Sequence, residues 1–283
     1  MRNYFFAISL SVFSVCANAK TLNIPGKPSD DKLAITLVKE MVSRSDIYDN
    51  VHFYYGDAGD PPITKMTADL DLGHIDIAWS GTTSQFEQEM KAIYFPIYRG
   101  LLGMRLPIVE RNKSSMFNNV NTWSQFVQYV PCQGKAWPDT TILEANGLTV
   151  AKSLKYPNMF PMLEGDRCDY FPRGVFEPFR EVKTQSQYNL VVDTNVMLRY
   201  KMPYYLFTKK SNSELAEHIS QIFTEMYNDG TFQTIFFADH EVREAMTLGG
   251  LSDRVIFDLN NPDLTESTKS IPSLYWFDPI SGQ

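Results

Sequence analysis

In the stretch DDKLAITLVKEMVSRS, apolar residues recur at Leu33, Ile35, Leu37, Val38, Met41 and Val42. They fall mostly on one helical face, which predicts an amphipathic helix. Ahead of it, TLNIPGKPSD reads as a short strand closed by Pro/Gly turn chemistry. Behind it, VHFYYG is rich in the β-branched and aromatic residues that suit a strand. PPITKMTADLDLGHI opens a second helix on proline and DIAWSG supplies a third strand. Strand–helix alternation of this kind predicts an α/β fold with a parallel, doubly wound sheet.

LLGMRLPIVE then reads as a strand long enough to leave one domain, after which the pattern restarts. NTWSQFVQY is a helix, AWP a strand, TTILEANG a helix, LTVAKS a strand, YPNMFPMLEG a helix and RCDYFP a strand. VFEPFREVKTQ is a further helix, LVVDTNVML a strand and PYYLFTKK a return strand. A long amphipathic helix follows, capped by Ser211 or Ser213. The segment 112–203 therefore reads as a second lobe inserted into a first lobe made of 20–111 and 204–283. Connections cross near 105–111 and 200–208, an arrangement that predicts a two-strand hinge with a cleft between lobes.

The first 19 residues, MRNYFFAISLSVFSVCANA, combine Arg2, an apolar run and the small-residue pair Ala17 and Ala19. That is the pattern of a secretory signal peptide cut after Ala19, and it places the mature chain in the periplasm. Removing Arg2 leaves 25 Lys+Arg (26 − 1) against 33 Asp+Glu, a net charge of −8. Such an acidic chain is not expected to bind nucleic acid. Cys132 and Cys168 form an even pair, a candidate disulfide in an oxidising compartment. The four His residues lack ligand spacing, so no metal or other cofactor is expected. No nucleophile elbow, phosphate-cradling loop or HExxH pattern is present, and no catalytic residue is assigned.

DIAWSGTTSQFEQEMKAIYFPIYRGLLGMRL, RCDYFPRG and SELAEHISQIFTEMYNDGTFQTIF stand in an order that resembles the type II periplasmic solute-binding proteins. The likeness is to the polar-amino-acid type, extracellular solute-binding family three, and within it to a branch of proteobacterial secreted proteins. It covers most of the mature chain. The resemblance implies two doubly wound sheets joined by a hinge, a small-molecule ligand, a monomer, and a membrane permease or a sensor as partner. A lyase on the same scaffold is the enzymatic alternative. Two features depart from the family. Ser84–Gln88 carries no Arg where the family clamps the ligand α-carboxylate, and Arg173–Gly174 occupies the neighbourhood of its acidic residue for the α-amino group.

The candidate binding residues follow from position. Trp79, Ser80, Gly81 and Thr82 form a strand-end loop in the first lobe, and Trp137, Asp139 and Thr140 form the strand-to-helix turn of the second. Arg99, Arg105 and Arg173 offer paired donors to an anion. Together with a helix N-terminus they predict a small polar, anionic solute.

Overall fold

The computed structural model describes residues 20–282. The signal-peptide reading lies outside these residues. The chain opens with β1 (Lys20–Ile24), α1 (Leu33–Arg44) and β2 (Tyr48–Phe53), with β1 and β2 parallel. α2 (Ile63–Leu72), β3 (Ala78–Gly81), α3 (Ser84–Glu89) and β4 (Met90–Ile93) follow. β5 (Met104–Glu110) is buried at every residue but the last. Next come α4 (Trp123–Phe126), β6 (Cys132–Gly134), α5 (Pro138–Ala145), β7 (Ala151–Ser153), α6 (Met159–Glu164) and β8 (Phe171–Gly174). α7 (Pro178–Thr184), β9 (Leu190–Val192), β10 (Val196–Arg199) and β11 (Tyr204–Lys209) lead to α8 (Ser213–Asn228), α9 (Thr231–Ala238) and α10 (His240–Leu248). β12 (Val255–Asp258) and α11 (Glu266–Lys269) complete the chain. Among the described residues no helix is long and apolar enough to cross a membrane.

β11 lies between β3 and β4, antiparallel to both, with Tyr205 opposite Ser80 and Thr208 opposite Lys91. Asn23 and Asp76 stitch β1 to the approach of β3: the Asn23 N–H reaches the Asp76 carboxylate at 2.7 Å, and the Asp76 N–H reaches the Asn23 carbonyl at 2.8 Å. A second sheet runs β12–β10–β5–β8, with β9 also on β5. β6 and β7 extend it through a bridge between Pro131 and Tyr170. The connections on either side of β5 and β10 run together, since the Tyr200 N–H donates to the Gly103 carbonyl at 2.9 Å. Gly103 has no alternative here, because a Cβ would collide with the Tyr200 carbonyl.

One lobe boundary departs from expectation. β12 belongs to the 204–283 stretch, yet it pairs in parallel with β10, Val196 opposite Val255. The edge of β10 would otherwise offer a row of unpaired backbone groups, and β12 covers it. Three local readings also change. Trp137 is not in a strand: it sits at the N-cap of α5 with Pro138 in the first turn, where a proline lacks no needed donor, and the strand is Cys132–Gly134. Asn212, not a serine, caps α8, its side chain accepting the Leu215 N–H at 3.2 Å. LVVDTNVML is two strands, because the Asp193 carboxylate turns the chain by accepting the Asn195 and Val196 N–H groups at 2.8 and 2.9 Å.

Cys132 and Cys168 are bonded, with Cα atoms 5.4 Å apart. The bridge joins β6 to the run into β8 within a core of Ile108, Met159, Phe160, Leu163 and Phe171.

Candidate functional site

Arg105 on β5 stands opposite Gly174 on β8 and Leu198 on β10, so its side chain enters the middle of the second sheet's end. Only 2% of that side chain is exposed. Its guanidinium meets Asp139 of α5 at 2.6 Å and Glu177, the N-cap of α7, at 3.3 Å. Asp139 also accepts the Tyr200 hydroxyl. Glu177 takes the Gly174 N–H at 2.7 Å and Arg173 at 2.6 Å. Arg173 in turn reaches Glu181 at 2.7 Å, and Glu181 accepts the Tyr156 hydroxyl at 2.8 Å. The Arg173 guanidinium lies 5.0, 5.2 and 5.6 Å from the rings of Phe171, Trp137 and Tyr156.

Two guanidinium groups thus face three carboxylates in a buried chain of contacts. Burial pulls both guanidinium groups down, but the carboxylates outweigh it and hold them above their usual range. Burial pushes the Glu177 carboxyl up, against Arg173 and Arg105.

The ends of β3 and β8 both approach the Leu102 side chain. A Cβ at Gly81 would sit 3.2 Å from Leu102, and one at Gly174 would sit 3.4 Å from it. At Gly174 the tighter neighbour is Glu177, whose carboxylate oxygen would lie 3.0 Å from a Cβ. Beside this contact, Tyr98 stacks on Phe176 with ring centres 3.9 Å apart, and Tyr204 packs edge-on at 5.4 Å. Carboxylates and cations stand near the aromatic group. Glu241 lies 3.5 Å from the Tyr98 hydroxyl, and Asp60 accepts the Trp79 indole N–H at 3.2 Å. Arg180 bridges Glu241 at 3.3 Å and Asp31 at 3.6 Å, while Lys32 holds Asp60 at 2.6 Å. Burial first, then Asp60, Glu177 and Glu241, push the Tyr204 phenol well above its usual range.

Glu241 is the titratable group with a consequence in the working range. Burial, reinforced by Asp239, Glu177 and Asp31 and opposed by Arg180, pushes its carboxyl up to about 7. A carboxyl with a raised folded pKa binds its proton more tightly when folded, so stability falls as pH rises from its unfolded value toward 7. The side chain is 13% exposed, and the penalty at pH 8 is about 2–3 kcal/mol. Glu241→Gln is expected to unfold at higher urea than the parent at pH 8 and equally at pH 4. Equal midpoints at both pH values would remove this carboxyl from the account.

Of the sequence-predicted residues, Arg105, Trp137, Asp139 and Arg173 come together in the buried network. The Thr140 hydroxyl is spent on the Gly134 carbonyl at 2.7 Å, and Trp79 is buried in the core. Ser80 lies in β3 opposite Tyr205. Thr82 donates to Glu87 at 2.9 Å, and Glu87 also accepts Thr265 at 2.6 Å and Thr268 at 2.9 Å from the C-terminal segment. The first N–H of α3, Ser84, is taken by Asp263 at 3.0 Å. Arg99 stands apart from the rest: its guanidinium donates to the Leu274 and Trp276 carbonyls at 3.1 and 3.3 Å among the rings of Tyr227, Phe236 and Phe277. Phe176, Glu181 and Glu241 were not singled out. Each sits in an ordinary helix or loop pattern, and only the fold gathers them.

No protein-family model and no curated protein matches the sequence. Solved structures match in fold. An ancestral arginine-binding protein bound to arginine aligns with a TM-score of 0.56 at 18% identity, covering 78% of this chain and 98% of its own. A probable amino-acid ABC transporter extracellular-binding protein from Bacillus subtilis aligns at 0.57 and 13% identity, covering 79% and 98%. An ancestral amino acid-binding protein described as a precursor of cyclohexadienyl dehydratase aligns at 0.55 and 13% identity, covering 77% and 95%. The chain takes the two-lobed type II periplasmic-binding fold that these amino-acid-binding proteins share.

Proposed function

We propose that this is a periplasmic solute-binding protein whose two lobes close on a small polar solute for a membrane permease. The carrying observation is the meeting of Gly81 and Gly174 at Leu102, beside the Tyr98–Phe176 stack. Side chains far apart in sequence converge there at the ends of strands, where open α/β sheets bind ligands. Closure would shift a hinge equilibrium.

The charge of the solute is revised from the sequence expectation. Arg105 and Arg173 are already neutralised by Asp139, Glu177 and Glu181, and Arg99 is turned elsewhere. Near the aromatic group Asp31, Asp60 and Glu241 stand against Arg180 and Lys32, three carboxylates to two cations. Aromatic faces bordered by carboxylates suit a cationic group. L-Arginine, L-lysine and putrescine are therefore expected to raise the melting temperature with concentration, and succinate is not. Phe176→Ala should weaken a stabilising amine by at least about tenfold, which corresponds to one lost aromatic contact. Stabilisation by succinate alone would overturn the charge reading, and unchanged affinity in Phe176→Ala would move the site. Conversion of a bound compound to product, followed by mass spectrometry, would replace the binding role with a lyase.

A further inference from the structure

A cavity of about 710 Å³ lies beside the crossing connections and shares no residue with either glycine turn or with the Tyr98–Phe176 stack. Met104, Tyr200 and Lys201 line one side, and Trp276 and Phe277 of the C-terminal segment line another. Its charges are unbalanced. Arg99, Arg199 and Lys201 stand against Asp258 and Asp278, three cations to two carboxylates, in a chain of net charge −7. Arg199 and Asp258 satisfy each other through two bonds of 2.6 and 2.9 Å. Among the described residues, neither Arg99 nor Lys201 has a carboxylate within ion-pair distance.

Two buried donors at this cavity also lack acceptors. The Arg99 Nε and the Trp276 Nε1 are shielded from solvent and make no hydrogen bond, although Arg99 is only 7% exposed. A buried donor without a partner costs free energy, so such groups are rare unless something else satisfies them. The Lys201 ammonium lies 4.5 Å from the centre of the Trp276 ring, and burial pulls it below its usual range. The surrounding walls are apolar, with Met104, Leu259 and Phe277 among them.

We propose that this cavity is a second ligand site, which takes a small aromatic carboxylate. Its carboxylate meets Lys201 at the mouth of the cavity, and its ring lies against Met104 and Leu259. This site is separate from the interlobe site proposed above, and its ligand carries the opposite charge.

Benzoate is the probe, with benzamide as its uncharged counterpart, titrated calorimetrically into the full mature chain. Saturable binding of benzoate is expected, at least about tenfold tighter than benzamide, the difference a single charge-assisted contact makes. Lys201→Gln should weaken benzoate by about tenfold while leaving the melting temperature of the free protein unchanged. Trp276 is one of four tryptophans, so Trp276→Phe should also abolish the benzoate-dependent part of the fluorescence change. Arg99→Ala is avoided because Arg99 pins the C-terminal segment. Equal binding of benzoate and benzamide, absence of saturable heat with benzoate, or full affinity in Lys201→Gln would each overturn the proposal. Phe176→Ala separates the two sites, because it should leave benzoate binding intact whether or not it alters binding of an amine.

Discussion

Arg105→Met is expected to lower the unfolding free energy by about 3–5 kcal/mol, the cost of leaving buried carboxylates without their counter-charge. The reason is geometric. Asp139 is 5% exposed and keeps only the Tyr200 hydroxyl once the guanidinium is gone. Glu177 retains Arg173 and the Gly174 N–H, so the damage concentrates on Asp139. Adding Asp139→Asn to Arg105→Met removes the stranded charge and should restore more than half of the loss. Urea unfolding of the parent, both single variants and the double variant gives the coupling directly. A loss below about 1 kcal/mol in Arg105→Met, the size of an exposed ion pair, would show that the network is more solvated than its burial implies.

Replacing both Cys132 and Cys168 with Ala should cost about 4 kcal/mol in the chain-entropy account, given a separation of 36 residues. The loss acts through the unfolded chain, which regains the freedom the bridge had removed. The folded state has other ties at the same place, including the Cys132 N–H on the Tyr170 carbonyl at 2.8 Å. The variant should therefore fold to the same structure with a lower urea midpoint, and the parent in reductant should move to meet it. Coincident midpoints for the parent, with and without reductant, would show that the bridge does not constrain the unfolded chain.

The two halves of the molecule were unequally legible. α1 could be read because its partners are itself: Leu33, Ile35, Leu37, Val38, Met41 and Val42 are all buried as their spacing requires. The return strand β11 was legible for the same reason, through its continuous apolar run. Arg105 was visible as a strand arginine, but its partners lie on α5 and α7, and no local pattern connects them. β12 carries only Val255–Asp258, too short to declare that it would edge a sheet built mostly by another segment. Arg99 neighbours the crossing strand in sequence, whereas in space its guanidinium lies on the C-terminal segment, which no local pattern announces.

Asp263 gives the turn after β3 a character of its own. Its carboxylate sits on the first amide of α3 through a 3.0 Å bond, tethered on the same chain and never lost by dilution. The bond fastens the C-terminal segment to the end of β3, so losing the Asp263 carboxylate would strand both the amide and the hydroxyl of Ser84 at once.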